Sequence, residues 1–359
     1  MKVLIVSTRY LGDCLIAAGL AAPIKTYLPE AEVHMLTFES NRSILEGVQG
    51  IDHVIGVKQH PKKGEQLKEL MSLRNHYDWA IITMQSTRAC LYGYFAGKKQ
   101  SMPKPDGGSH GLWKRWLMSN FVVVDHALPM IDQMASLLEP LIGKRPAPQE
   151  VPPACPSNPN LPQSLLDWLN DSKFVVFHTQ SRYRDKSWSD KGWRELTLRA
   201  IDKGYKVCFT GGPGQQEAQR IAEIVKGFDE RYVRSFAGLL SFGQTGSLIE
   251  KASCYVGVDT GTTHVAAATG TPCVTLFGPT DPIAWGPSPK EGRGVWRRDE
   301  SLRQMGNVTM IRNANYLDCH QCDRHRCPLN DPQELGHCLQ TLETEKVVES
   351  FESILQKAS

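Results

Sequence analysis

Short apolar runs typical of β-strands alternate with helical segments along this chain, first in one half and then again in the other. Parallel strands need crossover connections, so this alternation predicts α/β domains whose parallel sheets carry helices on both faces. We predict strands at Val3–Ser7, Glu32–Thr37, His53–Val57, Trp79–Thr83, Lys173–His178, Val207–Thr210, Cys254–Val258 and Cys273–Phe277.

A proline-rich stretch separates the two series. Residues 146–162 hold seven prolines and show no periodic pattern, which is typical of a linker. We therefore predict one domain at residues 1–150, a linker at 151–165, and a second domain at 166–343. In sheets of this kind, the ligand site lies beyond the carboxyl ends of the strands.

Charge and composition narrow the function classes. The formal net charge of +3 is small for 359 residues and argues against a general nucleic-acid binder. The N-terminus lacks the pattern of a signal peptide, and no apolar run approaches the roughly 18–20 residues that cross a bilayer. We therefore expect a cytoplasmic protein whose ten cysteines are reduced.

The segment from Val258 to Pro272 carries the strongest functional signal. A predicted strand ends at Asp259, and a helix of small residues follows Thr260 and Gly261. The free N–H groups and positive end of such a helix suit a pyrophosphate, and small side chains let the backbone approach it. The alternative is an ordinary turn capped by Asp or Thr.

A second polar segment, residues 178–188, follows the first strand of the second half. Thr179 and Ser181 offer hydroxyl donors for phosphate oxygens, and Lys186 offers a charge that neutralises a departing diphosphate. The same composition is typical of a solvated basic loop, and the sequence leaves both interpretations open.

A carboxylate follows a glycine turn after the first strand, in Leu11-Gly12-Asp13. At an interdomain cleft, Asp13 would accept a proton from an acceptor hydroxyl. The competing interpretation is that Asp13 caps the following helix, and position alone favours the cap.

Together these three segments resemble the glycosyltransferase family that includes the ADP-heptose:lipopolysaccharide heptosyltransferases. The resemblance covers most of the chain, strongly in the second half and weakly at residues 60–125. The matching residues are Arg9-x-Leu11-Gly12-Asp13, Lys186-x-Trp188, Trp193-x-x-Leu196, Asp259-Thr260-Gly261-x-x-His264, Gly270-x-Pro272 and Phe277-Gly278-Pro279-Thr280.

The resemblance implies a GT-B architecture, with two Rossmann-like doubly wound domains facing a central cleft. It implies an inverting transfer of heptose from ADP-heptose to the inner core of lipopolysaccharide. Asp13 would be the general base, and Lys186 would stabilise the departing diphosphate. Glu217 matches an acidic position that binds ribose. The predicted donor-binding residues are Thr179, Ser181, Glu217, Asp259, Thr260, Gly261, Thr262 and His264.

No Asp-x-Asp occurs in the chain. A fixed cation and a helix dipole would then replace the divalent metal that many other glycosyltransferases use, so we expect no required cofactor. In GT-B enzymes a C-terminal helix often crosses back onto the first domain. Residues 344–359 contain such a predicted helix, with apolar residues at helical spacing.

The segment from Arg88 to Met118 holds six basic residues against one acid, Asp106. An anionic lipopolysaccharide core suits such a surface, and so does peripheral contact with the inner membrane through Trp113 and Trp116. A solvated loop is an equal alternative. The candidate acceptor-binding residues are Arg9, Arg88, Lys98, Lys99 and Arg115.

A cysteine cluster lies near the C-terminus. Cys319, Cys322, Cys327 and Cys338 have the ligand types and local spacing of a structural zinc site. The alternatives are reduced cysteines that pack in a loop, or an adventitious disulfide.

Three rival functions are separated by specific features. A related transferase with another nucleotide sugar would share all of these motifs, because sugar identity depends on a few side chains. A nucleotide-sugar-binding protein without turnover would be insensitive to changes at Asp13. A dinucleotide-dependent dehydrogenase predicts G-x-G-x-x-G after the first strand, and residues 7–12 do not supply it.

Overall fold

The computed structural model describes residues 1–104, 112–181, 186–319 and 337–357. The chain forms two compact units, Met1–Pro156 and Ser157–Ser359. The division between them falls within the predicted linker.

The first unit contains a six-stranded parallel sheet in the order β3-β2-β1-β4-β5-β6. This is the strand order of the Rossmann fold, and it reverses direction between β1 and β4. Its strands are β1 (Lys2–Val6), β2 (Glu32–Phe38), β3 (His53–Val57), β4 (Tyr77–Ile82), β5 (Gly97–Pro103) and β6 (Asn120–Val122). Its helices are α1 (Leu11–Ala18), α2 (Ala21–Tyr27), α3 (Lys63–Ser72), α4 (Thr87–Ala96), α5 (Leu112–Leu117), α6 (Met130–Ala135) and α7 (Glu139–Ile142).

The first predicted helix is two helices with a break at Gly19 and Leu20. A Cβ added at Gly19 would lie 2.9 Å from the carbonyl oxygen of Pro152. The glycine therefore allows the segment that leaves this unit to pass close to the helix.

The second unit contains a seven-stranded sheet in the order β12-β13-β11-β10-β7-β8-β9. All pairs are parallel except β12 with β13, and the order reverses between β7 and β10. Its strands are β7 (Phe174–His178), β8 (Lys206–Thr210), β9 (Val233–Ser235), β10 (Cys254–Val258), β11 (Cys273–Leu276), β12 (Leu302–Met305) and β13 (Val308–Ile311). Its helices are α8 (Gln163–Leu169), α9 (Asp190–Asp202), α10 (Gln215–Val225), α11 (Phe242–Glu250), α12 (Gly261–Thr269), α13 (Pro282–Trp285), α14 (His337–Gln340) and α15 (Thr344–Lys357).

Two apolar cores cover the two faces of this second sheet. Val175, Phe177 and the buried face of α9 belong to one core, and Val176, Tyr255 and the small residues of α12 belong to the other. Both faces are buried, so the central strands β7 and β10 are almost continuously apolar, as expected of parallel strands. This rigid centre holds the loops that follow the strands.

The C-terminal helix α15 packs on the second unit. Val347, Val348, Phe351 and Leu355 are buried in the same core as Phe177 and Trp193, and the helix contacts α9, β10 and β11. The apolar residues that suggested a helix returning to the first domain are instead satisfied within the second unit.

No helix in the described parts of the chain combines the length and apolar character needed to span a bilayer.

Candidate functional site

In the second unit, the predicted donor-binding residues follow the carboxyl ends of three adjacent strands. Thr179 and Ser181 follow β7, Glu217 lies in the first turn of the helix after β8, and Asp259 follows β10. The sheet order places β7 between β8 and β10. The structure therefore brings these residues to one edge of the sheet, at the reversal of strand order where ligands bind in such folds.

The first turn of α12 has no side-chain cap. Thr260 occupies the N-cap position with extended backbone angles, φ −147° and ψ 171°, but its side chain accepts no hydrogen bond from the helix. Gly261 and Thr262 are the first two residues of the helix, and N–H groups in a first turn have no partner within the helix. The capped-turn alternative is therefore wrong, and the end of α12 suits an anionic ligand.

A buried ion pair lies beside this helix end. Lys186 Nζ is 2.6 Å from Asp259 Oδ2, and the two side chains are only 13% and 7% exposed. Lys186 is thus held beside the strand end rather than extended into solvent. Residues 182–185 of the intervening basic segment lie outside the described residues.

His264 lies on the first turns of α12, close enough to this pair to interact with both charges. Burial lowers the pKa of the His264 imidazole, Lys186 lowers it further, and Asp259 opposes them. His264 is therefore neutral at pH 7 and can accept or donate one hydrogen bond to a ligand.

The end of β7 is a buried polar layer. Thr179 is fully buried, and its hydroxyl accepts a hydrogen bond of 3.0 Å from the Gln180 side chain. His178 Nδ1 lies 3.0 Å from Thr210 Oγ1 at the end of β8, and burial lowers the pKa of His178 to about 4. Sequence reasoning missed both Gln180 and His178 because buried polar residues next to a strand end have no characteristic spacing.

Glu217 folds over the glycine loop after β8. A Cβ added at Gly211 or Gly212 would lie 2.9 or 3.0 Å from a Glu217 carboxylate oxygen. Burial raises the pKa of Glu217, and the N–H of Gly212 opposes that shift by donating to the carboxylate. This placement keeps a half-buried acid at the same sheet edge as Asp259, where it is positioned to accept hydroxyl hydrogen bonds.

In the first unit, Asp13 lies in the first turn of α1, after β1. The N-cap residue of this helix is Tyr10, which makes no side-chain cap, so Asp13 is not the cap that its position favoured. The Asp13 side chain is buried, and its Oδ1 has no hydrogen-bond partner among the described residues. A buried carboxylate whose pKa is raised is poised to accept a proton.

The charge environment of Asp13 is set by burial and by Arg9. Loss of hydration raises the pKa of the Asp13 carboxyl, and Arg9 partly offsets this. Arg9 Nη1 lies 3.6 Å from Asp13 Oδ1, and half of the Arg9 side chain is exposed. Arg9 thus combines a contact with the carboxylate and a solvent-facing charge.

The other candidate acceptor-binding residues do not gather around Asp13. Lys98 and Lys99 lie at the amino end of β5, whereas Asp13 follows the carboxyl end of β1 in the same parallel sheet. Lys98 Nζ pairs with Asp78 Oδ1 at 3.0 Å, and Lys99 lies over the Trp79 ring. The interpretation of these lysines as part of one basic acceptor surface is wrong, because they lie at the opposite end of the parallel strands from Asp13.

Arg88 is also used within the fold. Its guanidinium donates to the carbonyl oxygens of Lys58 and Gln59 and lies 5.1 Å from the centre of the Phe38 ring. It therefore ties the loop after β3 to α4. Arg115, in contrast, is exposed on α5, next to Lys114, whose ammonium donates to the Gln85 carbonyl at the carboxyl edge.

The cysteine cluster is only partly described. Cys322 and Cys327 lie outside the described residues. Cys319 is partly exposed, and Cys338 on α14 packs beside Gly278. The described residues contain no group of three or more side chains placed to hold a metal ion.

Comparison with known proteins decides the family. The family model described as glycosyltransferase family 9 (heptosyltransferase) matches residues 67–313, more than half of the chain. The chain belongs to glycosyltransferase family 9.

Relatives within the family align over most of their length. The chain is 27% identical over 290 residues to lipopolysaccharide heptosyltransferase 3 of Escherichia coli K12, covering 78% of this chain and 83% of the relative. It is 24% identical over 310 residues to lipooligosaccharide heptosyltransferase 2 of Haemophilus ducreyi, covering 81% and 87%. The family-level resemblance predicted from the motifs is confirmed.

Solved structures confirm the predicted fold class, GT-B with Rossmann-like domains. E. coli ADP-heptose lipopolysaccharide heptosyltransferase II aligns over 99% of both chains, with a TM-score of 0.74 and 21% identity. E. coli heptosyltransferase WaaC with ADP aligns over 99% of this chain and 100% of that one, with the same TM-score and identity. The dodecameric iron-containing heptosyltransferase TibC aligns with a TM-score of 0.55, over 76% of its chain.

Proposed function

We propose that this family 9 glycosyltransferase moves a heptose from ADP-heptose to the inner core of lipopolysaccharide with inversion at the anomeric carbon. The observation that carries the proposal is the uncapped end of α12 beside the buried Lys186–Asp259 pair. That arrangement suits a nucleotide diphosphate, and the relatives are named as heptosyltransferases.

The second unit would bind the donor. The diphosphate would lie against the N–H groups of Gly261 and Thr262, where the helix dipole favours negative charge. Glu217 would accept hydrogen bonds from the ribose hydroxyls. Negative charge grows on the diphosphate as the sugar departs, so Lys186 would stabilise the transition state more than the ground state.

The first unit would activate the acceptor. The acceptor hydroxyl would lose its proton to the Asp13 carboxylate as the acceptor oxygen attacks the anomeric carbon. Burial raises the pKa of the Asp13 carboxyl, which makes it a stronger base than an ordinary aspartate. Arg9 and Arg115 are the remaining candidates for contacts with an anionic acceptor.

We further propose that transfer requires no divalent metal. Lys186 and the end of α12 supply fixed positive charge at the diphosphate site. A magnesium ion would have to compete with Lys186 for the Asp259 carboxylate, which is the acid nearest to that helix end along the chain. Full turnover after exhaustive treatment with EDTA supports this, and loss of turnover that magnesium restores would overturn it.

The experiment that tests the donor is calorimetric titration with ADP-heptose, ADP and UDP, first without metal and then with magnesium. We expect tight binding of both adenine nucleotides, no effect of magnesium, and weak binding of UDP. Preference for UDP would retain the fold and move the donor to another nucleotide sugar. Absence of binding by all three would refute the donor site.

A turnover assay with a lipopolysaccharide acceptor lacking heptose separates an enzyme from a binding protein. Formation of the heptosylated product with release of ADP supports the transferase. Donor binding without product, for the wild type and for Asp13→Asn alike, would instead indicate a nucleotide-sugar-binding protein.

We propose peripheral contact with the inner face of the inner membrane through α5. Trp116 and Leu117 are 86% and 42% exposed, and Arg115 lies beside them. An exposed aromatic flanked by a cation is the composition of an interfacial anchor on an anionic bilayer. Trp116→Ser should reduce cosedimentation with phosphatidylglycerol vesicles, whereas Leu302→Ser, which changes an exposed leucine of the second unit, should not. Equal cosedimentation of both variants would refute the contact.

We also propose a structural metal, most simply zinc, held by Cys319, Cys322, Cys327 and Cys338. The buried guanidinium of Arg312 lies close enough to Cys338 to interact with it electrostatically. Metal analysis of the purified protein should give about one zinc per chain. Cys319→Ser should lose it while catalysis persists, and a metal-free wild-type protein would refute the site.

A further inference from the structure

A buried chain of hydroxyl groups lies beneath the first turn of α12. Tyr255 is fully buried on β10, and its hydroxyl oxygen lies 2.9 Å from Thr263 Oγ1. Thr263 Oγ1 in turn donates to the carbonyl oxygen of Val258 at 2.5 Å. The single hydroxyl proton of Thr263 is used on Val258, so the Tyr255 hydroxyl donates to Thr263.

Gly257 makes room for this chain. A Cβ added at Gly257 would lie 2.2 Å from the Tyr255 hydroxyl oxygen and 2.5 Å from the ring carbon that carries it. Tyr255 and Gly257 are two residues apart on one strand, so their positions share one face of the sheet. Only a residue without a side chain at 257 lets the phenol extend to the helix.

The hydrogen-bonded hydroxyl groups of Tyr255 and Thr263 join the two sides of the turn that carries Asp259. Val258 is the last residue of β10 and directly precedes Asp259, whereas Thr263 is the third residue of α12. The hydrogen bonds therefore fix the first turn of the helix relative to the strand end. The side chain of the N-cap residue Thr260 makes no hydrogen bond to the helix.

We propose that Tyr255 and Thr263 are positioning residues for the diphosphate of the donor. Neither side chain is exposed, so neither touches the ligand, and both act through the N–H groups of Gly261 and Thr262. This inference depends on the donor site proposed above. A helix end that is held in place before binding loses less conformational freedom on binding. The hydroxyl groups of Tyr255 and Thr263 therefore increase the affinity for the diphosphate.

The test compares Tyr255→Phe, Thr263→Val and the double variant by calorimetry with ADP and by steady-state kinetics with ADP-heptose. Each single variant should raise the ADP Kd and the donor KM by about three- to tenfold, the worth of one buried hydrogen bond. The double variant should bind ADP no more weakly than the weaker-binding single variant, because both substitutions break the same series of hydrogen bonds. Thr263→Ser keeps the hydroxyl and should retain the wild-type Kd.

Thr269→Val is the matched control. Thr269 is a second buried threonine of α12, and its hydroxyl donates to the Ala266 carbonyl at 2.8 Å near the other end of the helix. Thr269→Val should lower the Tm and leave the ADP Kd unchanged. If Tyr255→Phe and Thr263→Val also lower the Tm with wild-type Kd and KM, the positioning role is refuted. Failure of the wild type to bind ADP would refute the donor site instead.

Discussion

Lys186 Nζ lies 2.6 Å from Asp259 Oδ2, so a charged hydrogen bond joins the loop after β7 to the end of β10, where the strand order reverses. Both side chains are largely buried, so each neutralises a charge that would otherwise be costly. The same pair lies beside the uncapped end of α12, so one contact serves the fold and the proposed chemistry.

Removal of the lysine should therefore affect both properties. Lys186→Met should lower kcat by about 10²–10³-fold, the usual effect of losing one group that stabilises developing charge. It should also lower the free energy of unfolding by about 3–5 kcal/mol, because Asp259 becomes a buried, unpaired carboxylate. Steady-state kinetics and chemical denaturation measure the two effects.

A second substitution separates these effects. Lys186→Met combined with Asp259→Asn should recover most of the stability and none of the turnover. Lys191→Met, which changes an exposed lysine of α9, should match the wild type in both assays. A Lys186→Met enzyme within tenfold of the wild-type kcat would contradict the proposed role.

Asp13→Asn should abolish most turnover without changing donor binding. The amide cannot accept the proton of the acceptor hydroxyl, so kcat should fall by about 10²–10⁴-fold. Asp13 belongs to the first unit and the donor residues to the second, so the ADP Kd should equal that of the wild type. Near-normal turnover by Asp13→Asn would exclude the general-base role.

The fall of kcat on the acid side of the pH profile (its acid limb) should reflect protonation of the Asp13 carboxylate. Burial raises the pKa of this carboxyl, so kcat should fall with decreasing pH at a value above the usual 3.9 or so of aspartate. Arg9 lowers that pKa, and Arg9→Gln should therefore move the limb upward. The shift should be less than about one pH unit, because the Arg9 side chain is half exposed and screened by water.

The matched control is Arg145→Gln, which breaks an exposed ion pair with Glu139 in the same unit. Its pH profile should coincide with that of the wild type. A limb that moves downward in Arg9→Gln would show that another group controls the ionisation.

The strands that the sequence predicted well are those that contain a clear apolar run. The predictions at 53–57 and 254–258 match the structure, and the others near the two sheet centres differ by one or two residues. Strand β5 was missed because Lys98, Lys99 and Gln100 make it polar. Its buried Gln100 is satisfied by the Gly97 carbonyl and by Ser119, partners that no local pattern reveals.

The residues of the candidate site could also be predicted only in part from the sequence. Residues that follow strand ends, such as Asp13 in the first unit and Asp259 in the second, could each be placed at the carboxyl edge of their own sheet from the sequence, because parallel topology determines which strand ends lie together. The role of Arg88 could not be predicted. Its partners are backbone carbonyls of residues 58 and 59, brought close only by packing of α4 on the sheet.

The buried imidazole of His178 should make stability depend on pH. Its pKa in the fold is about 4, below the usual value of about 6.5 that applies to the unfolded chain. Between these values, the unfolded chain binds a proton that the folded protein does not. The contribution of His178 to the free energy of unfolding should therefore be fully present above pH 6.5. Acidification to pH 4 should lower the free energy of unfolding by about 3 kcal/mol.

Denaturation of the wild type and of His178→Asn from pH 7 to pH 4.5 isolates this contribution. The variant should be less sensitive to acid, because it has no group at 178 that the unfolded chain protonates. His60→Asn, at an exposed histidine, should retain the wild-type slope. Identical slopes for the wild type and His178→Asn would show that the pKa of His178 is the same in the folded and unfolded chain, and that burial does not lower it.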